Sequence, residues 1–161
     1  AIVSDTHIPT RASRVPDWVA EAIEAADHTL HAGDFDDVEA YERIVELADG
    51  DLTAVHGNMD PGGVDLPAVE TVTLDGVEFV LTHGTGDRAG YERRVARTVA
   101  EYGGEGAVGV SGHTHEVMDR RVDGHRLLNP GSATGASPAD RTTMMVATIA
   151  DGEIDVELRE D

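Results

Sequence analysis

Val110-Ser111-Gly112-His113-Thr114-His115 sets two histidines one residue apart, behind a glycine and an apolar run. Alone, that spacing is ordinary surface chemistry. It gains meaning if other metal-competent side chains recur in the same setting, and they do. Asp5-Thr6-His7 follows Ala1–Ser4, and Gly33-Asp34 follows the strand ending near Ala32. Gly57-Asn58-Met59-Asp60 follows Thr53–His56, and His83-Gly84 follows Phe79–Leu81. Five apolar strands thus end in a potential ligand, nearly all beside a glycine. Ligands of open α/β sheets gather beyond the carboxyl ends of strands, and glycine lets the backbone turn sharply there.

Asp5 and His7 stand at i, i+2, as do His113 and His115. In an extended segment that spacing points both side chains to one side. The full set is Asp5, His7, Asp34, Asn58, His83, His113 and His115. One ion needs only about four to six ligands. Two ions sharing a bridging carboxylate use all seven, and such pairs clamp the oxygens of a phosphoryl displacement. His28, His31, His56 and His125 lack this context and read as structural or surface residues.

The remaining pattern supplies the frame. Helical spacing of apolar residues predicts helices over Pro16–Ala26, Val38–Ala48 and roughly Gly90–Tyr102. Their apolar faces read as core. Short strands are expected at Ala1–Ser4, His28–Ala32, Leu52–His56 and Ala107–Val110. Asp75-Gly76 sits between two alternating apolar runs, the strongest short hairpin signal, and Asp123-Gly124 and Asp151-Gly152 repeat it. The order is β-α-β-α-β and then hairpins, consistent with two packed sheets flanked by helices in one domain over 1–161. Asp60–Pro67 is the best candidate for a mobile loop. Ala1–Ser4 reads as a strand already in progress, so a few residues are expected before it.

The chain has no cysteine, which excludes disulfides, iron–sulfur clusters and thiolate zinc sites. Any metal is held by nitrogen and oxygen. Acidic residues number 32 against 12 basic ones, a net charge of −20, and every basic residue is arginine. That balance argues against a general nucleic-acid surface. No apolar run approaches a membrane span, and no signal peptide is visible. A cytoplasmic location, in the salt-rich cytoplasm of a salt-loving organism, is the expectation. A homo-oligomer is compatible with the sequence.

Asp-x-His, Gly-Asp, Gly-Asn-x-Asp, His-Gly and Gly-His-Thr-His, in that order, resemble the calcineurin-like metallophosphoesterases. Asn129-Pro130-Gly131-Ser132-Ala133-Thr134-Gly135-Ala136 resembles their small archaeal and bacterial phosphodiesterase branch. The resemblance implies an α/β fold of α+β type, a four-layer β-sandwich of two mixed sheets with flanking helices. It implies a dinuclear centre, with Asp5, His7 and His115 on the first ion and Asn58, His83 and His113 on the second. Asp34 would bridge both, and a metal-bridging hydroxide would attack the phosphorus. Manganese is the first choice, with nickel, cobalt, iron and zinc open, because imidazole and carboxylate select none firmly.

Many members of the larger family place a histidine where this chain has Met59, and that histidine protonates the leaving group. A thioether cannot. General acid help is worth about 10²–10⁴-fold, so aryl-like phosphodiesters are favoured over monoesters and phosphoproteins. For substrate contacts, Arg11 and Arg14 lie just beyond Asp5-Thr6-His7, and guanidinium suits phosphate. Solvated loop arginines are the plain alternative. Ser132 either touches substrate or belongs to a turn that closes one sheet on another. A rival reading also stands. The same fold and Asn-Pro-Gly-Ser segment resemble the scaffold subunit of the retromer coat, which binds partners. Relatives on that side tend to lose the bridging aspartate and the asparagine, and Asp34 and Asn58 are both present here. A metal-dependent amide hydrolase shares the ligand types but explains the ordered series less well.

The charge carries its own test. Self-repulsion is screened over about 10 Å at 0.1 M salt and about 3 Å at 1 M. The urea midpoint is therefore expected to rise between low and molar salt. A flat midpoint would count against the salt-adapted reading.

Overall fold

Alternate residues of the short central strands face opposite layers, and this sorts the whole chain. A computed structural model describes residues 1–161. The first half runs β1 (Ile2–Val3), α1 (Asp17–Glu24), β2 (Thr29–His31), α2 (Val38–Leu47), β3 (Leu52–Ala54). The second half runs β4 (Val69–Leu74), β5 (Val77–Thr82), α3 (Tyr91–Tyr102), β6 (Val108–Val110), β7 (Met118–Val122), β8 (His125–Asn129), β9 (Thr143–Ala150), β10 (Glu153–Glu160). One sheet has the order β10-β9-β1-β2-β3 and the other β4-β5-β6-β8-β7. Both are mixed, with β1, β2 and β3 parallel in the first and β5, β6 and β8 parallel in the second.

Ile2, Leu30, Phe79, Leu81, Val110, Leu128 and Met145 fill the space between the sheets. Their neighbours point the other way. Val3 and Met144 join Val19, Ile23 and Ile44 under α1 and α2, and Val80 and Leu127 join Val95 and Val99 under α3. This period-2 alternation builds four layers: two helices, sheet, sheet, one helix. No helix is long and apolar enough to cross a membrane.

The three Asp-Gly pairs turn as expected. Asp75, Asp123 and Asp151 have φ of 45°, 49° and 53°, and the glycines that follow them are also left-handed. That double positive φ is the turn whose twist matches a hairpin. Helix ends shift by a residue or two. α1 stops at Glu24 rather than Ala26, and Pro16 sits just before it. The Asp60–Pro67 segment is better anchored than its composition suggests. Val64 is buried in the helix-side core, and Asp60 is buried at the segment's start.

Candidate metal centre

β1, β2, β3, β5 and β6 all deliver their following residues to one rim of the sandwich. Asp5, His7, Asp34, His83 and His115 are buried there, His113 is half-buried, and Asn58 is exposed. The convergence does not arise as the i, i+2 spacing suggested. Asp5 and His7 have φ of 52° and 45°, and His113 and His115 have 71° and 58°. Asp34 and Asp36 are left-handed too, at 62° and 76°. These segments are coiled, not extended. Each such non-glycine residue costs on the order of 1–3 kcal/mol and persists only where its surroundings over-determine it.

The surroundings are hydrogen bonds that face each imidazole outward. His7 Nδ1 lies 2.8 Å from Asp36 Oδ1, and His115 Nδ1 lies 2.8 Å from the Ala136 carbonyl. His83 Nδ1 lies 2.7 Å from the Ala32 carbonyl, and His113 Nε2 lies 2.8 Å from the Gly86 carbonyl. An acceptor on one ring nitrogen places the proton there and leaves a lone pair on the other. When the rings are neutral, those lone pairs point inward. His7 Nε2 and His115 Nε2 face each other at 3.1 Å, with Asp5 Oδ1 at 3.8 and 3.3 Å. His113 Nδ1 faces Asn58 Oδ1 at 2.8 Å. His83 Nε2 is buried without a hydrogen-bond partner, although Asp34 Oδ2 is 3.2 Å away, off the ring's line. Acceptors opposed to acceptors call for a shared cation.

Two ligand groups follow. Asp5, His7 and His115 bring their ligand atoms within 4.8 Å of one another, and so do Asp5, Asp34 and His83. Asp34 Oδ2 stands between the groups, 3.5 Å from His7 Nε2 and 3.2 Å from His83 Nε2. Its other oxygen accepts from the Met59 amide at 2.8 Å. Asp5 faces both groups and also accepts from the His113 amide at 3.0 Å. Gly112 is required beside it, because a Cβ there would come within 2.6 Å of Asp5 Oδ2. The residues present therefore fit a pair of divalent cations, held by the donor types expected from the sequence.

Charge within the cluster is coupled. Burial pushes the Asp5 carboxyl up, but the adjoining His115 and His7 imidazoles outweigh that and hold it well below the usual range. Burial likewise raises Asp34, and His83 reverses it. For His83, burial works downward, but Asp34 and the charge of Asp5 prevail and lift it to about 8. His31 is the contrast. Burial drives it to about 4, its Nδ1 accepts from the Gly33 amide, and its ring stacks on Phe35 at 3.8 Å. It is a neutral structural residue.

The proposed substrate contacts fare unevenly. Ser132 is fully buried, and its hydroxyl donates to the Asp5 carbonyl at 2.7 Å and accepts from the Ala136 amide. It braces a ligand segment and does not reach substrate, because its hydroxyl is already spent on backbone. Arg14 turns away to Asp17 at 2.9 Å, at the start of α1. Arg11 stays exposed and holds the Ser137 carbonyl at 2.8 Å, next to the residue that orients His115.

The calcineurin-like phosphoesterase superfamily domain matches residues 1–152. The chain belongs to that superfamily. Membership implies metal-dependent phosphoester hydrolysis, and the fold implies divalent metal ions. A probable metallophosphoesterase from Methanothermobacter thermautotrophicus is 33% identical over 159 residues, covering 98% of this chain and 89% of that protein. The solution structure of a Thermotoga maritima protein is 28% identical at a TM-score of 0.76, covering 99% of this chain and 96% of that one. Chaetomium thermophilum Vps29 superposes at a TM-score of 0.78, covering 99% and 95%. At 19% identity that likeness concerns the fold alone.

Two residues of the calcineurin-like centre escaped the sequence reading. Asp36 orients His7. Asp60 accepts from four backbone amides: Asp34 at 3.0 Å, Phe35 at 2.6 Å, Asp36 at 3.0 Å and Gly57 at 2.7 Å. It thereby fixes the loop that carries Asp34. The one signal for it was its place at the end of Gly57-Asn58-Met59-Asp60.

Asp60→Asn turns a donor toward some of those amides. Leaving a buried donor unmatched costs about 1–3 kcal/mol. The variant is expected to lose about 2–4 kcal/mol of unfolding free energy in urea. An unchanged value would refute the role given to Asp60.

The pH dependence has a defined sign. In metal-free protein, the His83 contribution is complete below its ordinary value of 6.5 and is lost as pH rises through about 8. A metal must displace that proton. Calorimetry in buffers of different ionisation enthalpy should show protons released on metal binding near pH ~7 and far fewer near pH ~9. Equal release at both would contradict the assignment.

Proposed function

We propose that the protein is a phosphodiesterase that works with two divalent cations, manganese in the first place. The observation that carries this reading is the set of inward-facing ring nitrogens on four outward-anchored imidazoles, joined by Asp34 and Asp5. Asp5, His7 and His115 would hold one ion, and Asn58, His83 and His113 the other, with Asp34 shared. When bound, such a pair lowers the pKa of a water and neutralises charge on the phosphoryl oxygens. The protein holds these donors in place through Asp36, Asp60, Ser132 and the carbonyls of Ala32, Gly86 and Ala136.

Met59 is 44% exposed where a proton donor would serve a poor leaving group. Its thioether supports small diesters whose leaving group departs as a stable anion. Arg11 stands at the rim on the Ser137 side, where a guanidinium suits a phosphate oxygen. The scaffold reading shares the fold but leaves the Asp34, Asn58 and His113 arrangement without a purpose.

The test is hydrolysis of bis-p-nitrophenyl phosphate against p-nitrophenyl phosphate in molar salt, with manganese and with chelator. The expected result is diester turnover that chelator abolishes, that exceeds monoester turnover, and that falls by about 10²-fold or more in Asp34→Asn. No turnover with any divalent metal, in protein shown to be folded, would overturn the enzyme reading in favour of the scaffold.

A further inference from the structure

α3 opens at Gly90 with a left-handed φ of 75° and no side-chain cap. At this opening Tyr91 is buried, Arg94 half-buried and Arg88 exposed. Each reaches back to a backbone carbonyl. Arg94 Nη2 donates to Gly84 O and to Asp87 O, both at 3.0 Å. The Tyr91 hydroxyl lies 2.6 Å from Gly112 O. Arg88 Nη2 donates to Thr114 O at 2.9 Å.

The three principal acceptors share one property. Gly84 follows His83, Gly112 precedes His113, and Thr114 stands between His113 and His115. The same loop supplies the Gly86 carbonyl that orients the His113 ring. The contact is also steric. A Cβ on Gly84 would come within 2.7 Å of the Tyr91 ring, so ring and backbone are in close packing. Asn129 Nδ2 reinforces the same point, 2.8 Å from Gly112 O and 2.9 Å from the Tyr91 hydroxyl.

The first ligand segment is braced by another part of the chain. Ser132 donates to the Asp5 carbonyl and Thr134 to the Thr6 carbonyl, at 2.7 and 2.8 Å. The carbonyls of this first segment take their bonds from Ser132 and Thr134 and none from α3.

We propose that Tyr91 and Arg94 are positioning residues for the second cation site, that of Asn58, His83 and His113, and set its affinity separately from the first. This rests on the two-cation reading. The left-handed backbone at His113 is the reason such a clamp is needed, since a strained segment relaxes when its bonds are removed. Partners of this kind change metal affinity by about 10–100-fold.

The experiment is titration of chelator-stripped protein with Mn²⁺, followed by calorimetry and by EPR, in which a second ion broadens the isolated-ion spectrum by exchange. Tyr91→Phe keeps the ring on Gly84, and Asn129 keeps one donor on Gly112, so the variant should fold. Val99→Ala serves as control. Val99 is buried on the same helix and belongs to the core under α3. Wild type is expected to bind two ions in resolvable steps. Tyr91→Phe and Arg94→Met should weaken the second step by about tenfold and leave the first within about twofold. Arg94→Lys should restore part of the loss, and Val99→Ala should change neither step. Unchanged steps in Tyr91→Phe, equal weakening of both, or a matching second-step loss in Val99→Ala would overturn the clamp. Fewer than two ions on wild type would overturn the two-cation reading itself, and the clamp with it.

Discussion

Four imidazoles, each tethered by one ring nitrogen and open at the other, are the constraint on which the rest depends. A histidine with both nitrogens satisfied by protein is inert to metal, as His31 is. His7, His83, His113 and His115 are held in the opposite condition. Their anchors are a carboxylate and three carbonyls, placed by loops far apart in sequence. The cost is paired acceptors within a buried, acidic cluster and six left-handed non-glycine residues. In the metal-free state protons relieve part of it, which is why His83 holds its proton to about 8. Cations would relieve it more fully.

The sandwich exists in a form that serves this rim. Short parallel strands, two or three residues long in β1, β2, β3 and β6, bring their carboxyl ends to one side of both sheets. The long hairpin β9–β10 extends the first sheet at the other edge, with eight paired positions. Stability is concentrated in the inter-sheet core and beneath the helices, so the ligand loops can carry strain. Glycine at 112 is the clearest mark of this. It lets the backbone of one sheet pass against the carboxylate offered by the other.

Much of this was legible in the sequence because it is local. Each Asp-Gly pair marks its hairpin to the residue, and the apolar periodicity finds all three helices within a turn. The order of the ligand motifs is local too, since each follows its own strand. What was not legible depends on long-range contact. Asp60 looks like a loop aspartate until four amides from two segments meet its carboxylate. Ser132 looks as fit for substrate as for structure until it is seen 127 positions away from the residue whose carbonyl it holds. The i, i+2 spacing of Asp5 and His7 suggested an extended strand. The backbone reaches the same convergence by left-handed turns, which side-chain periodicity does not report. Arg14 was equally placed on paper to meet a phosphate, but a neighbouring aspartate takes it.

The most direct measurement of the central claim is an anomalous-difference map from crystals grown with manganese. Two peaks about 3.5–4 Å apart are expected. One would lie beside Asp5, His7 and His115, the other beside Asn58, His83 and His113, with Asp34 between them. A single peak, or none with the imidazoles still facing one another, would contradict it.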